Sequence, residues 1–294
     1  MTTLRLGFLT DLHRCLEKGA RGSWHNEYDF DGLADRIGRA LTWLDDERVT
    51  LLVLGGDLTH HADSAAMRAA LELCGSGSQD SVLAVSGNHD VAGGVDLLVR
   101  EVERIGNPRL RLAAPGGELI GGVRVAGMHL ELGSGWFRSR LREGPPVDLW
   151  GAEPVVLVSH LPLLSHAATL AARGMPYPGD LLDREPAVAS LLRREAPTIV
   201  ISGHIHARDV HAAGPVLQMT QGALVEPPFD AALIEIRVDA GDVAVTRRTL
   251  RTEARAAELE PTLVGPIGSW LFSNATWTTT ALDDSARNHS MARA

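Results

Sequence analysis

Five short apolar runs in this chain each break off at a cluster of aspartate, asparagine or histidine. Leu4 to Thr10 ends at Asp11-Leu12-His13, Val49 to Leu54 at Gly55-Gly56-Asp57, and Ser81 to Val85 at Gly87-Asn88-His89-Asp90. Val155 to Val158 ends at Ser159-His160, and Thr198 to Ile201 at Gly203-His204-Ile205-His206. Runs this short and this largely apolar read as strands buried on both faces. Helical patterns separate them: Leu33, Ile37, Leu41 and Leu44 recur at three- and four-residue spacing within Asp31 to Asp45. Asp63 to Cys74, Val95 to Ile105 and Pro186 to Glu195 read as further helices. Buried strands alternating with helices imply a sheet covered by helices, and such sheets bind ligands beyond the carboxyl ends of their strands. The polar clusters therefore fall where a site belongs.

A second sheet is expected from Arg109 to Leu112, Glu118 to Ile120 and Val123 to Met128, short strands joined by glycine turns. Val216 to Met219, Ala232 to Val238 and Val243 to Thr249 also read as strands, the last two joined at Asp239-Ala240-Gly241-Asp242. Arg14 to Asp29 reads as a loop, and Ser165 to Asp183 as an irregular excursion. His129 to Pro146 reads either as a surface loop or as a rim over the site, with Trp136, Arg138 and Trp24 as candidate wall residues. Beyond Glu253 the pattern weakens. Pro261 to Trp270 is expected to cover the body, and Ser273 to Ala294 to be partly ordered at best. The expected organisation is one domain over 1–250 and a C-terminal extension over 251–294.

The strand-end groups Asp11, His13, Asp57, Asn88, His89, His160, His204 and His206 supply two carboxylates, an amide oxygen and five imidazoles. A lone aspartate or histidine after a strand is usually a cap or a surface group. An ordered set at five strand ends is a different matter. Nitrogen and carboxylate donors without thiolate suit zinc, manganese or iron. Seven donors (Asp11, His13, Asp57, Asn88, His160, His204 and His206) are too many for one tetrahedral ion. They suit two ions about 3.5–4 Å apart that share a carboxylate, with Asp57 as the natural bridge. If the chain is still extended at Asp-Leu-His and His-Ile-His, side chains two apart point the same way and can grip one metal or reach two adjacent ones. Gly56, Gly87 and Gly203 leave room for tight backbone turns beside these donors. Asn88 would bind a cation without adding negative charge. His60 and His61 read as exposed or capping groups, with a supporting role behind the donors as the alternative. His129 could line the cleft, and Asp90 either orients a neighbour or caps the following segment.

A net charge of −9 argues against a phosphate backbone as partner. Cys15 and Cys74 form neither a zinc-type pair nor a disulfide framework. No apolar run approaches the roughly 20 residues that span a bilayer. The first ten residues read as a strand, not a secretory signal, so a cytoplasmic protein without membrane contact is expected.

Taken together, the motifs DLH at 11–13, GGDL at 55–58, GNHD at 87–90, SH at 159–160 and GHIH at 203–206 resemble those of the calcineurin-like metallophosphoesterase superfamily. GALVEPPF, Gly222 to Phe229, resembles the family's return after the last ligand strand. The resemblance implies an α/β fold, a four-layer αββα sandwich with two central mixed β-sheets flanked by helices. It implies a first metal held by Asp11, His13 and His206, a second held by Asn88, His160 and His204, and Asp57 bridging. His89 matches the histidine that contacts substrate and acts as general acid. The metals implied are two divalent or mixed-valence transition ions (Mn2+, Fe2+/Fe3+ or Zn2+). The motif order is also similar to that of bacterial class III cyclic nucleotide phosphodiesterases. The expected activity is hydrolysis of small-molecule phosphodiesters, cyclic nucleotides among them, by in-line attack of a hydroxide held between the two ions. A phosphomonoesterase acting on a nucleotide or small phosphorylated metabolite is the alternative, and a nuclease or a non-enzymatic scaffold ranks lower. A homodimer is a further expectation of the resemblance.

Overall fold

A computed structural model of the chain describes residues 1–20, 28–132, 139–175, 179, 181–253 and 268–282. Trp24, His25, Trp136 and Arg138 lie outside the described residues. Two mixed sheets stack face to face. The larger has eight strands centred on β1 (Thr2–Leu9). On one side of β1 run β2 (Leu51–Leu54), β3 (Ser81–Ala84) and Leu110–Leu112, all parallel. On the other run Asp230–Asp239, Asp242–Arg251, Gly268–Ser273 and Thr276–Leu282, each antiparallel to its neighbour. The six-stranded sheet places Val123–Met128, Val155–Ser159, Thr198–Ser202 and Val216–Thr220 side by side in parallel. Antiparallel strands Glu118–Ile120 and Asp209–Ala213 close its edges.

The continuous apolar runs have a direct cause, because both faces of each strand are covered. In β2, Leu51 and Val53 join the core between the sheets, while Leu52 and Leu54 meet the helices. In Val155–Ser159, Val156 and Val158 face inward, while Val155 and Leu157 face the outer layer. Each such side chain contributes about 1.5–3 kcal/mol by leaving water. Helices α1 (Leu33–Asp46), α2 (Ser64–Cys74) and α3 (Leu97–Ile105) cover the larger sheet. The short α4 (Ala167–Ala172) sits over Ile205 and Ala207, and α5 (Arg184–Leu192) covers the smaller sheet. The result is the expected αββα order. Asp63 and Asp96 start α2 and α3 by accepting first-turn backbone N–H groups.

Residues 268–282 are more regular than their polar composition suggests. Asn274 and Ala275, both with positive φ (52° and 59°), turn Gly268–Ser273 back into Thr276–Leu282. That is the two-residue hairpin geometry, in which glycine usually takes the second position. Trp270, Phe272 and Trp277 enter the core between the sheets, and the Trp277 indole donates to the Pro215 carbonyl at 2.9 Å. Among the described residues no helix is long and apolar enough to cross a membrane.

Candidate metal centre

β1, β2 and β3 run parallel in one sheet, as do Val155–Ser159 and Thr198–Ser202 in the other. All five motifs follow the carboxyl ends of these strands, so they meet at one edge of the sandwich. The condition of an extended backbone at these two-residue spacings is not met. Asp11, His13, Asp57, His204 and His206 all adopt positive φ, between 44° and 68°. Such left-handed conformations cost non-glycine residues about 1–3 kcal/mol each. Neighbouring backbone hydrogen bonds over-determine them. The Asp11 N–H donates to Gly56 O (3.0 Å), the His13 N–H to Asp57 O (2.8 Å) and the Gly203 N–H to His160 O (3.0 Å). The loops also approach too closely for side chains: a Cβ on Gly87 would lie 2.1 Å from Asp57 Oδ1, and one on Gly203 2.1 Å from Asp11 Oδ2.

One cluster comprises Asp11, His13 and His206. His206 Nε2 lies 3.1 Å from Asp11 Oδ1 and 3.3 Å from His13 Nε2, and His13 Nε2 lies 4.0 Å from Asp11 Oδ1. Bonds of about 2.0–2.2 Å to a shared cation bring neighbouring donor atoms to about this spacing. Asp57, His160 and His204 form a second cluster, and His60 and His89 also group with His13. His160 Nδ1–H donates to Gly55 O at 2.8 Å, which leaves Nε2 facing Asp57 Oδ2 at 3.1 Å. Asp57 joins the clusters. Its Oδ1 accepts from the His89 backbone N–H at 2.8 Å, while Oδ2 stands 3.1 Å from His160 Nε2 and 3.6 Å from His13 Nε2. Asn88 is buried in the adjoining turn, and its Oδ1 has no hydrogen-bond partner among the described residues. A buried amide oxygen left without a donor is costly unless something else satisfies it. These nitrogen and oxygen sets, meeting at a shared carboxylate, suit two metal ions.

The electrostatics divide the imidazoles. Burial holds His13 well below its ordinary pKa and brings His204 down to about 3, so both are neutral. Burial also opposes charge on His160 and His206, but the Asp57 carboxylate lifts His160 to about 9, and Tyr28, Asp11 and Glu226 raise His206 well above normal. A cation must displace those two protons. Metal uptake near pH 7.5 should therefore release a proton from each of His160 and His206, and affinity should rise with pH until these groups are deprotonated without metal. Calorimetric titration in buffers of different ionisation enthalpy checks this, and uptake without proton release contradicts it.

Surrounding groups hold the donors in place. Asp90 staples two motif loops, its carboxylate accepting from the N–H groups of Gly87 (2.9 Å), Leu58 (3.2 Å) and Thr59 (2.9 Å). Burial, with Asp57 adding, pushes Asp90 up to about 7. His89 is half-buried at the rim, and its Nδ1–H donates to His60 O at 2.7 Å. His60 is buried, contrary to the exposed reading, because its ring packs on Phe30 (5.1 Å) and stacks over His89 (5.7 Å, 8°). His61 is exposed. His129 is half-buried and donates to Ala113 O at 2.9 Å. Two further neighbours, neither assigned a role by the sequence, back the donor histidines. Tyr28 stacks on His13 (4.7 Å, 30°), and the Glu226 carboxylate accepts from His206 Nδ1.

His166, Asp209 and His211 form a separate cluster. The Gln218 carbonyl oxygen accepts from the Leu163 and Leu164 N–H groups, both at 2.7 Å, so its amide nitrogen must donate to His166 Nε2 (2.7 Å). His166 then carries its proton on Nδ1 and donates it to Asp209 (3.1 Å). That tautomer leaves no lone pair aimed at the cluster, which reads as a hydrogen-bonded network and not as a metal site.

A family model described as calcineurin-like phosphoesterase matches residues 4–208. Among solved structures, the chain is similar to a dimetal phosphatase from Danio rerio at 15% identity and a TM-score of 0.55, covering 85% of this chain and 99% of that one. It is similar to a Thermus thermophilus protein at 15% identity and a TM-score of 0.51, covering 86% of this chain and all of the other. At these identities the likeness concerns the fold alone. No curated protein matches the sequence.

Proposed function

Because the chain belongs to the calcineurin-like phosphoesterase family, we propose that it is a dinuclear-metal hydrolase of phosphate esters, with small-molecule phosphodiesters as its preferred substrates. The observation that carries this reading is the shared position of Asp57, whose Oδ2 faces donors of both clusters. In this reading Asp11, His13 and His206 hold one cation, Asn88, His160 and His204 the other, and Asp57 both. Manganese, iron or zinc suits such donors. Bound there, the ions would supply positive charge for the phosphoryl oxygens and lower the pKa of a coordinated water.

The chain's own groups prepare that chemistry. His160 and His206 are each anchored through Nδ1, by Gly55 O and Glu226 respectively, so that Nε2 is presented to the centre. Asn88 contributes an oxygen without charge, which preserves attraction for an anionic ester. His89, held through Nδ1 by the His60 carbonyl, presents Nε2 at the rim. In its charged form Nε2–H can donate to a phosphoryl oxygen or protonate the departing oxygen.

The preference for diesters rests on the motif order over residues 11–206, and the net charge of −9 disfavours polyanionic nucleic acid. A panel of bis-p-nitrophenyl phosphate, p-nitrophenyl phosphate and 2′,3′- and 3′,5′-cyclic nucleotides, with Mn2+, Zn2+ or iron supplied, tests it. Diester hydrolysis should exceed monoester hydrolysis at least tenfold in kcat/KM. A reversed order would favour a phosphomonoesterase, and inactivity on every ester would remove the hydrolytic role.

A further inference from the structure

We infer that Glu226 is a positioning residue for the first cation, acting through His206. This rests on the dinuclear reading above and concerns a residue outside the five strand-end motifs. His206 has two ring nitrogens with different surroundings. Nδ1 meets the Glu226 carboxylate, and Nε2 lies 3.1 Å from Asp11 Oδ1 and 3.3 Å from His13 Nε2. The carboxylate keeps the proton on Nδ1, aims the Nε2 lone pair at the cluster and raises its basicity. His206 needs such help, because its own backbone is left-handed (φ 50°) and the ring is not held by a regular element.

Glu226 is itself held in place. The Asp29 N–H donates to Val225 O at 2.7 Å, and the Phe229 N–H donates to Glu226 O at 2.9 Å. Val225, Ala223 and Phe30 form one small buried cluster, with Tyr28 packed against it. The bond between Asp29 and Val225 thus ties the segment that stacks Tyr28 on His13 to the segment that brings Glu226 to His206. Both imidazoles of the first cluster are held from behind by this unit. Nothing equivalent touches the second cluster among the described residues, where His160 is anchored by the Gly55 carbonyl. A defect at Glu226 should therefore act on one ion and spare the other.

The test is stepwise Co2+ titration of the metal-free full chain, following heat and visible absorption, with no substrate present. His13→Ala identifies the binding step that belongs to the first cluster. Glu226→Leu should weaken that same step roughly 10- to 100-fold, the range for outer partners of metal-bound histidines. The near-isosteric Glu226→Gln keeps an acceptor and should weaken it less. The other step should stay within about threefold of wild type in both variants. If Glu226→Leu does not fold, Glu226→Gln decides, with a selective loss of at least threefold expected. No loss, a loss shared equally by both steps as general loosening would produce, or a loss confined to the other step overturns the inference. Wild-type protein that takes up no cobalt would overturn the dinuclear reading and this inference together. Two intact steps in every Glu226 variant would overturn this inference alone.

Discussion

Asp57→Asn should weaken the binding of both cations and cut turnover together. The substitution changes few atoms, and its consequences follow from where each carboxylate oxygen sits. An asparagine oxygen can still accept the His89 N–H, as Oδ1 does now at 2.8 Å. The amide NH2 would then replace Oδ2, putting a donor where an acceptor now lies 3.1 Å from His160 Nε2 and 3.6 Å from His13 Nε2. Neither cluster keeps its shared ligand. His160, lifted to about 9 by Asp57 against the effect of burial, loses that support and its charge. Losing several kcal/mol of charge stabilisation corresponds to a fall in kcat of about 10³-fold or more. Metal analysis after dialysis should show fewer than two ions per chain at concentrations that saturate wild type. Two ions bound at wild-type affinity would mean that Asp57 is not shared.

His89→Ala should show the opposite dissociation, keeping the metals and losing the rate. The ring contributes no atom to the hydrogen bond between its own backbone N–H and Asp57, so alanine preserves that contact. The rim position and the anchor on the His60 carbonyl suit a group that meets substrate. Removing a positioned acid costs roughly 10²- to 10⁴-fold in kcat. The loss should be largest for esters with poor leaving groups and smallest for p-nitrophenyl esters, whose departing oxygen needs little protonation. Metal stoichiometry equal to wild type beside that leaving-group dependence would support the assignment. A loss of metal matching the loss of rate would place His89 in the structural frame instead.

The parts of this molecule that were legible in the sequence share a physical cause. β2, β3 and the Leu6–Leu9 half of β1 are covered on both faces, so burial writes itself into the sequence as apolar runs. The motifs stand out because they interrupt those runs. The hairpin at 268–282 lacked this contrast. Its turn uses Asn274-Ala275 where a glycine would have signalled it, and its outer strand carries threonines at exposed positions. His60 looked like an exposed loop residue, because the Phe30 and His89 rings that bury it come from separate segments. Asp90 could be assigned a supporting role but not its target, since its three backbone donors include two from another loop. Tyr28 carried no local signal, and Glu226 stood only inside GALVEPPF, a stretch that resembles the family without assigning that residue a role. Each matters only through a histidine distant in the chain, Tyr28 through His13 and Glu226 through His206. At the motifs, the two-residue spacing would align side chains only on extended backbone, whereas left-handed residues bring them together.

Crystals of the full chain reconstituted with Mn2+ or Zn2+, measured at wavelengths on either side of the metal absorption edge, test the central proposal most directly. The account predicts two anomalous peaks flanking the Asp57 carboxylate, one against Asp11, His13 and His206 and one against Asn88, His160 and His204. A single peak, or a pair placed so that Asp57 touches only one ion, would contradict it.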